Sequence, residues 1–130
     1  MWEYVGMART KESLETAIAK LAEVEKVFWS DLRIPGEAGS LNIELEKALR
    51  LLDFIEIGKL MAYDALNREE SCGGHFREEH QTEEGEAKRD DKNYSYVACW
   101  RYTGEGNEPE LLKEDLDYQY IKVQQRNYKN

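Results

Sequence analysis

The feature that most constrains this chain is a long helical segment with apolar residues on two sides. The segment begins after a cap at Ser40 or Asn42 and runs to about Asn67. One apolar stripe consists of Leu41, Leu45, Leu49, Leu52 and Ile55, and a second of Leu51, Phe54, Gly58, Met61, Ala62 and Ala65. A helix in a two-helix hairpin needs only one stripe, so this helix is predicted to be central and to have two partners.

An earlier helix supplies one of these partners. Thr10 is a good N-cap, apolar residues recur three and four positions apart, and Pro35 with Gly36 ends the pattern. The other candidate, residues 1–8, is too short to form a stable covering helix by itself. We therefore expect a mainly α fold, a three-helix bundle of the spectrin-repeat-like kind with its first helix truncated, and interpret the chain as a fragment of a larger subunit. The central helix is expected to bury Leu45, Leu49, Leu52, Ile55 and Met61.

The remainder divides into a connector and a tail. Acidic residues outnumber basic ones in residues 71–93, which predicts an irregular acidic loop between the helical bundle of residues 1–70 and the tail of residues 94–130. In the tail, apolar and aromatic residues alternate from Tyr94 to Tyr102, and the turn sequence TGEGNEP follows. This pattern predicts a β-hairpin or extended tail that packs on the rest of one structural domain.

Charge and composition exclude several classes of function. The net charge of −9 argues against nucleic-acid binding and against direct adhesion to an anionic membrane. Two cysteines are too few for a disulfide framework, the N-terminus does not resemble a signal peptide, and charged residues interrupt the most apolar window. We expect a cytoplasmic protein.

One stretch, REESCGGHFREEHQ, concentrates the chemically versatile side chains. Cys72, His75 and His80 are all possible zinc ligands, with Cys99 as a distant fourth. Their C-x2-H-x4-H spacing matches no well-known zinc pattern, so we expect no metal site. A Cys72–His75 nucleophilic pair would need an orienting group and an oxyanion hole, and no phosphate-binding or nucleophile motif occurs. We expect no catalytic or cofactor-binding residue.

An interface is the third interpretation of this stretch. Gly73 and Gly74 permit a tight turn after a helix end, from which His75 and Arg77 would project as hydrogen-bond donors. A helix cap and loop needed only for the domain's own fold remains the alternative.

The same stretch resembles the C-terminal region of the succinate dehydrogenase and fumarate reductase flavoprotein subunits. That family has a helix ending in an Ala-Arg-x-Glu-Ser-Arg-Gly-Ala-His-x-Arg-x-Asp pattern, followed later by Arg-Asp-Asp. The matching residues here are Glu70, Ser71, Gly73, His75, Arg77, Arg89, Asp90 and Asp91. Cys72 and Gly74 depart from the common Arg and Ala and are closest to bacterial versions with Cys-Gly-Gly-His. The ending QQRNY resembles the Arg-x-Tyr at which many of these subunits end.

The resemblance implies a three-helix bundle with an extended tail, belonging to a parent subunit that carries FAD and interconverts succinate and fumarate. It implies a peripheral parent on the cytoplasmic face of the inner membrane. The implied partners are the flavin-binding domain of the same subunit, an iron–sulfur subunit, and indirectly a membrane anchor subunit. The implied interface residues are Ser71, Gly73, Gly74, His75, Arg77, Arg89, Asp90, Asp91, Arg126 and Tyr128. No cofactor is expected in the chain itself.

Two further expectations concern the chain on its own. An independent acidic helical adaptor, with no enzyme attached, is the alternative function. Apolar residues that lack their natural cover should make the isolated chain self-associate or fold its own tail across them.

Overall fold

A computed structural model describes residues 1–37, 39–104 and 106–124. Its elements are α1 (Lys11–Asp31), α2 (Ile43–Asn67), α3 (Asp91–Tyr94), β1 (Tyr96–Arg101) and β2 (Glu110–Asp115). The chain is therefore helical with a small two-stranded antiparallel sheet.

Local side-chain chemistry sets where the two long helices begin. Thr10 caps α1: its hydroxyl accepts the Ser13 amide at 3.0 Å, and the Ser13 hydroxyl lies 3.0 Å from the Thr10 amide. Asn42 caps α2, because its side-chain oxygen accepts the amides of Glu44 and Leu45 at 3.0 and 3.2 Å. These bonds satisfy amides that have no partner within the helix.

The two helices form an antiparallel hairpin around a small core. Leu14 and Ala17 of α1 pack with Ala62 and Ala65 of α2, while Glu25 further along α1 pairs with Lys59, earlier in α2. Val5 joins this core from the N-terminal segment, which makes one helical turn through the bond from the Val5 amide to the Met1 carbonyl. Small alanine side chains allow the helix backbones to approach each other closely.

The predicted burial pattern of α2 was only partly right. Ile55 is buried and Leu52 half-buried, but Leu45, Leu49 and Met61 are 45%, 59% and 54% exposed. The residues that α2 buries are Ala48, Ile55, Gly58, Ala62 and Ala65. Periodicity identified the helix, but the face against α1 is chosen by small residues that fit a close contact rather than by the bulkiest ones.

The N-terminal segment covers part of the second stripe. A Cβ atom placed on Gly58 would lie 3.3 Å from the Met1 sulfur, so this segment crosses α2 near Gly58. The described residues contain two long helices and, before α1, a short turn. The third helix of a bundle was expected outside this chain and stays a prediction, as do the proposed boundaries at residues 70 and 93.

The tail forms the predicted hairpin and packs on α2. Tyr96 pairs with Asp115 and Trp100 with Leu111 in an antiparallel register. Tyr96 is buried and Trp100 half-buried, while Val97 and Cys99 face outward. The Trp100 indole N–H donates to the Asp64 carboxylate at 2.8 Å, which fixes the hairpin against the C-terminal turns of α2. The second strand ends at Asp115, so Tyr118 and Tyr120 lie beyond it.

Candidate inter-domain junction

The Cys72–His75 segment forms a tight two-residue turn at the tip of the connector. The Cys72 amide donates to the His75 carbonyl at 2.8 Å, and the His75 amide donates to the Cys72 carbonyl at 3.0 Å. Gly73 has a φ of 58°, at the first central position where a type II′ turn requires a positive value. Gly73 and Gly74 are exposed, and a Cβ on either would meet nothing within 4 Å. The tip therefore has free space on its outer side.

His75 is anchored at the base of this turn. Its Nε2–H donates to the Arg68 carbonyl at 2.9 Å, which selects the tautomer protonated on Nε2. Burial lowers the pKa of His75 below the ordinary 6.5, and the positive charges of Arg9, Arg77 and Arg68 act in the same direction, against the effect of the Arg68 carbonyl. At neutral pH His75 is thus an uncharged ring whose Nδ1 can accept a hydrogen bond.

Arg77 returns to cap the C-terminus of α2. Its Nη1 donates to the carbonyls of Ala65 and Leu66 at 3.0 and 3.3 Å, and its Nε donates to Glu79 at 3.3 Å. The side chain is only 2% exposed. A cation here satisfies carbonyls that have no partner within the helix and lies at the negative end of the helix dipole. Arg77 holds the junction together from inside rather than projecting from it.

Ser71 and the N-terminal segment fix the position of Arg77. The Ser71 hydroxyl accepts the Arg77 amide at 2.8 Å and donates to the Arg77 carbonyl at 3.1 Å. On the other side, the Arg9 amide donates to Phe76 and the Glu78 amide donates to Arg9. The Lys11 amide, in the first turn of α1, donates to Glu79. The connector is therefore built into the start of α1 and the end of α2.

Two residues of the matched stretch, Arg68 and Glu70, were not among the predicted site residues. Arg68 donates to Glu70 at 2.7 Å and to the carbonyls of Tyr94 and Tyr96 at 3.1 and 3.2 Å. Its guanidinium also lies over both tyrosine rings. The buried Glu70 carboxylate accepts the Asp90 amide at 2.8 Å as well. Arg68 and Glu70 thus join α2, the connector and the hairpin. Their presence in the family pattern was the signal that could have identified them.

The Arg-Asp-Asp triplet organises the start of α3. Asp90 is its N-cap and bonds Asn93, while Arg89 donates to Asp91 at 2.9 Å and to the Gln124 carbonyl at 3.1 Å. The Asp91 hydrogen bond and charge raise the pKa of Arg89. The predicted site residues Ser71, His75, Arg77, Arg89, Asp90 and Asp91 are therefore tied to one connected region. Arg126 and Tyr128 lie outside the described residues.

The candidate metal ligands are not brought together in the described part of the chain. No group of three or more His, Cys, Asp or Glu side chains there could hold a metal ion. Cys72 and Cys99 are free thiols on different elements. Residues 1–37, 39–104 and 106–124 also contain no helix long and apolar enough to span a bilayer.

An exposed apolar stripe runs along α2 on the side away from α1. Its members follow three and four residues apart: Leu51, Phe54, Ile57 and Met61 are 47%, 62%, 55% and 54% exposed. We call these four residues the open stripe. It contains three residues of the second stripe predicted from the sequence. Large contiguous apolar patches are uncommon on monomers and mark contact surfaces.

The architecture is that of a helical domain with a β-hairpin tail and an arginine-capped junction between them. Residues 1–128 match the family model described as the fumarate reductase flavoprotein C-terminal domain, and the chain belongs to this family. The sequence-based recognition is thereby confirmed.

Curated relatives and solved structures agree with this assignment. One similar protein is the first component of the fumarate reductase (CoM/CoB) of Methanothermobacter marburgensis, with 36% identity over 68% of this chain and 16% of that protein. Another is the fumarate reductase flavoprotein subunit of Serratia sp., with 32% identity over 89% of this chain and 18% of that protein. A structure of a variant FrdA of Escherichia coli quinol fumarate reductase superposes with a TM-score of 0.80 and 27% identity, covering 96% of this chain and 20% of that chain. The chain spans about a fifth of the length of these relatives.

Proposed function

We propose that the chain is the C-terminal domain of the FAD-containing subunit of a fumarate reductase or succinate dehydrogenase, where its role is structural. The observation that carries this proposal is the family match over residues 1–128 combined with coverage of only 16% and 18% of the flavoprotein relatives. The parent would interconvert succinate and fumarate, and the chemistry would take place in other parts of the subunit.

The described residues do not fit a site for FAD. A dinucleotide pyrophosphate needs free backbone amides at a helix N-terminus. In α1 these amides are occupied by the Thr10 hydroxyl and by Glu79, and in α2 by the Asn42 side chain. FAD would therefore be held by the parent's flavin-binding domain, and this chain supplies no step of the reaction.

The junction would contact the rest of the enzyme through its tip. Gly73 and Gly74 leave room for a close approach, and the neutral His75 offers Nδ1 as an acceptor, while Ser71 and Arg77 support the turn from behind. Arg89, Asp90 and Asp91 would define the adjoining surface, together with Arg126 and Tyr128. The partners proposed are the flavin-binding domain and the iron–sulfur subunit, with a membrane anchor subunit reached indirectly. The complete enzyme would lie on the cytoplasmic face of the inner membrane.

The open stripe would be covered in the parent by another segment. In a three-helix bundle, the helix that precedes Met1 would pack on Leu51, Phe54, Ile57 and Met61. Burying apolar surface contributes about 25 cal/mol per Å², so covering this stripe would contribute several kcal/mol to the parent's stability.

The test compares two glycine substitutions, each made both in the full subunit and in the isolated chain. Gly74→Glu places a side chain at the tip, and Gly39→Glu places one in the α1–α2 connection; neither Cβ would meet anything within 4 Å. We expect both variants to leave the thermal midpoint of the isolated chain unchanged. In the full subunit, Gly74→Glu should lower retention of the iron–sulfur subunit or of FAD, and Gly39→Glu should not.

Equal behaviour of the two variants in the full subunit would contradict the interface role and leave the junction a feature of the domain's own fold. If the source gene encoded only these residues, the stand-alone acidic adaptor would be the correct assignment.

A further inference from the structure

A small cleft opens where the hairpin meets the end of α2. It has a volume of about 210 Å³ and is lined by Tyr63, Leu66, Asn67, Trp100, Glu108 and Pro109. Pockets for small-molecule ligands begin at roughly 300 Å³, so this cleft has the size for one side chain rather than for a cofactor. None of its lining residues belongs to the Cys72–His75 tip, and the proposed function does not use them.

The walls and the rim of the cleft differ in character. Tyr63 and Trp100 contribute aromatic rings, and Leu66 with Pro109 adds apolar surface. Glu108 brings a carboxylate, and within the described residues it forms no ion pair. No Lys or Arg is among the lining residues. An aromatic, acidic cleft without its own cation is complementary to a cationic side chain.

Trp100 is held in an orientation that favours a cation. Its indole N–H donates to the Asp64 carboxylate at 2.8 Å, which fixes the ring and polarises it toward greater negative charge on its face. The same side of β1 already uses this chemistry within the chain. Tyr96 has the Arg68 guanidinium 5.1 Å and the Lys113 ammonium 4.3 Å from its ring centroid. Trp100 lies further along that side and lacks such a partner among the described residues.

We propose that this cleft is a docking site for an arginine side chain from a basic segment of a partner protein. Arginine fits better than lysine because its planar guanidinium can stack on a ring while donating to the carboxylate of Glu108 and the amide oxygen of Asn67. The chain's net charge of −9 would draw a basic partner toward it. Such docking would not depend on the proposed function.

The test is a titration of the 130-residue chain with N-acetyl-arginine methylamide, followed by NMR at the three indole N–H signals. The Trp100 signal should shift and saturate, while those of Trp2 and Trp29, which are 97% and 66% exposed, should serve as internal references and not saturate. The lysine analogue should bind more weakly, and the uncharged norleucine analogue should produce no saturating shift. Raising the ionic strength should weaken the arginine response.

Two charge-matched variants separate the cleft from general electrostatics. Glu108→Gln should weaken binding about threefold at low salt, in the range for exposed ion pairs. Glu114→Gln removes the same charge from the outer side of the hairpin and should leave binding unchanged. The proposal is overturned if Trp100 does not respond, if norleucine gives an equal shift, or if the two variants behave alike. Unchanged spectra elsewhere in both variants establish that each remains folded.

Discussion

The Arg77 guanidinium donates to the Ala65 carbonyl at 3.0 Å, although the two residues lie on opposite sides of the Cys72–His75 turn. Through this contact the side chain of the connector becomes the cap of α2. Ala65 also belongs to the helical core, so the junction and the core share a residue. The connector is consequently part of the domain's stability, despite its polar sequence.

Replacing Arg77 tests this coupling. Arg77→Ala leaves the carbonyls of Ala65 and Leu66 buried without their donor, and it removes the partner of Glu79. We expect the free energy of unfolding to fall by about 3 kcal/mol, as for loss of a buried charged hydrogen-bonding group. Urea denaturation measures this loss. Arg50→Ala, which removes an exposed arginine paired with Glu46, is the control and should change stability by less than about 0.5 kcal/mol. Equal effects would show that the cap contributes nothing.

A second prediction concerns the small core. Leu14 is fully buried, so Leu14→Ala should cost about 2–5 kcal/mol of unfolding free energy. Leu49→Ala removes the same atoms from a residue that is 59% exposed and should cost less than about 1 kcal/mol. Thermal or urea unfolding of both variants decides the matter. A larger loss for Leu49 would mean that α2 presents its other face to α1.

The His75 pKa makes a pH-dependent prediction. Because burial lowers the folded-state pKa below 6.5, the unfolded state binds a proton more readily than the folded state. The resulting stability is fully present above pH 6.5 and is lost as the pH falls from 6.5 toward the folded pKa. His75→Gln can keep the donor to the Arg68 carbonyl but cannot titrate. Urea midpoints between about pH 7.5 and 5.5, the range in which histidine titrates, should therefore decline less steeply in this variant. His80→Gln is the matched control and should keep the wild-type slope, whereas an unchanged slope in His75→Gln would refute the prediction.

The sequence was sufficient for the helices, the hairpin and the family. Thr10 and Asn42 are short-range caps, and alternation from Tyr94 to Tyr102 is a local pattern, so these features follow from neighbours along the chain. The side chosen for burial in α2 was not predictable in this way. It depends on how closely Ala62 and Ala65 let two backbones approach, which is a tertiary property.

The candidate site shows the same division. The matched motif identified Ser71, His75 and Arg77 as a connected region, but not their roles. Arg77 was expected to project outward, and it instead folds back over twelve residues to α2. That outcome requires the path of the intervening turn and the position of the N-terminal segment at Arg9, neither of which has a local sequence signal.

The open stripe predicts self-association of the isolated chain. Leu51, Phe54, Ile57 and Met61 expose an apolar surface that a second copy would cover, most simply as a two-fold dimer. Sedimentation equilibrium across a dilution series should show a concentration-dependent mass. Phe54→Glu should make the chain monomeric, while Ala22→Glu, which adds the same charge to an exposed position of α1, should not. A strictly monomeric wild-type chain with rapid amide exchange throughout residues 51–61 would contradict the prediction.

Residues 1–130 are proposed to form the C-terminal domain of a larger flavoprotein subunit, and the size of the intact polypeptide decides whether they do. Mass spectrometry of the polypeptide that contains them, isolated from the source cells, should be combined with its flavin absorbance. We expect a polypeptide several times longer than this chain that carries FAD. A flavin-free polypeptide of 15.2 kDa would contradict the assignment.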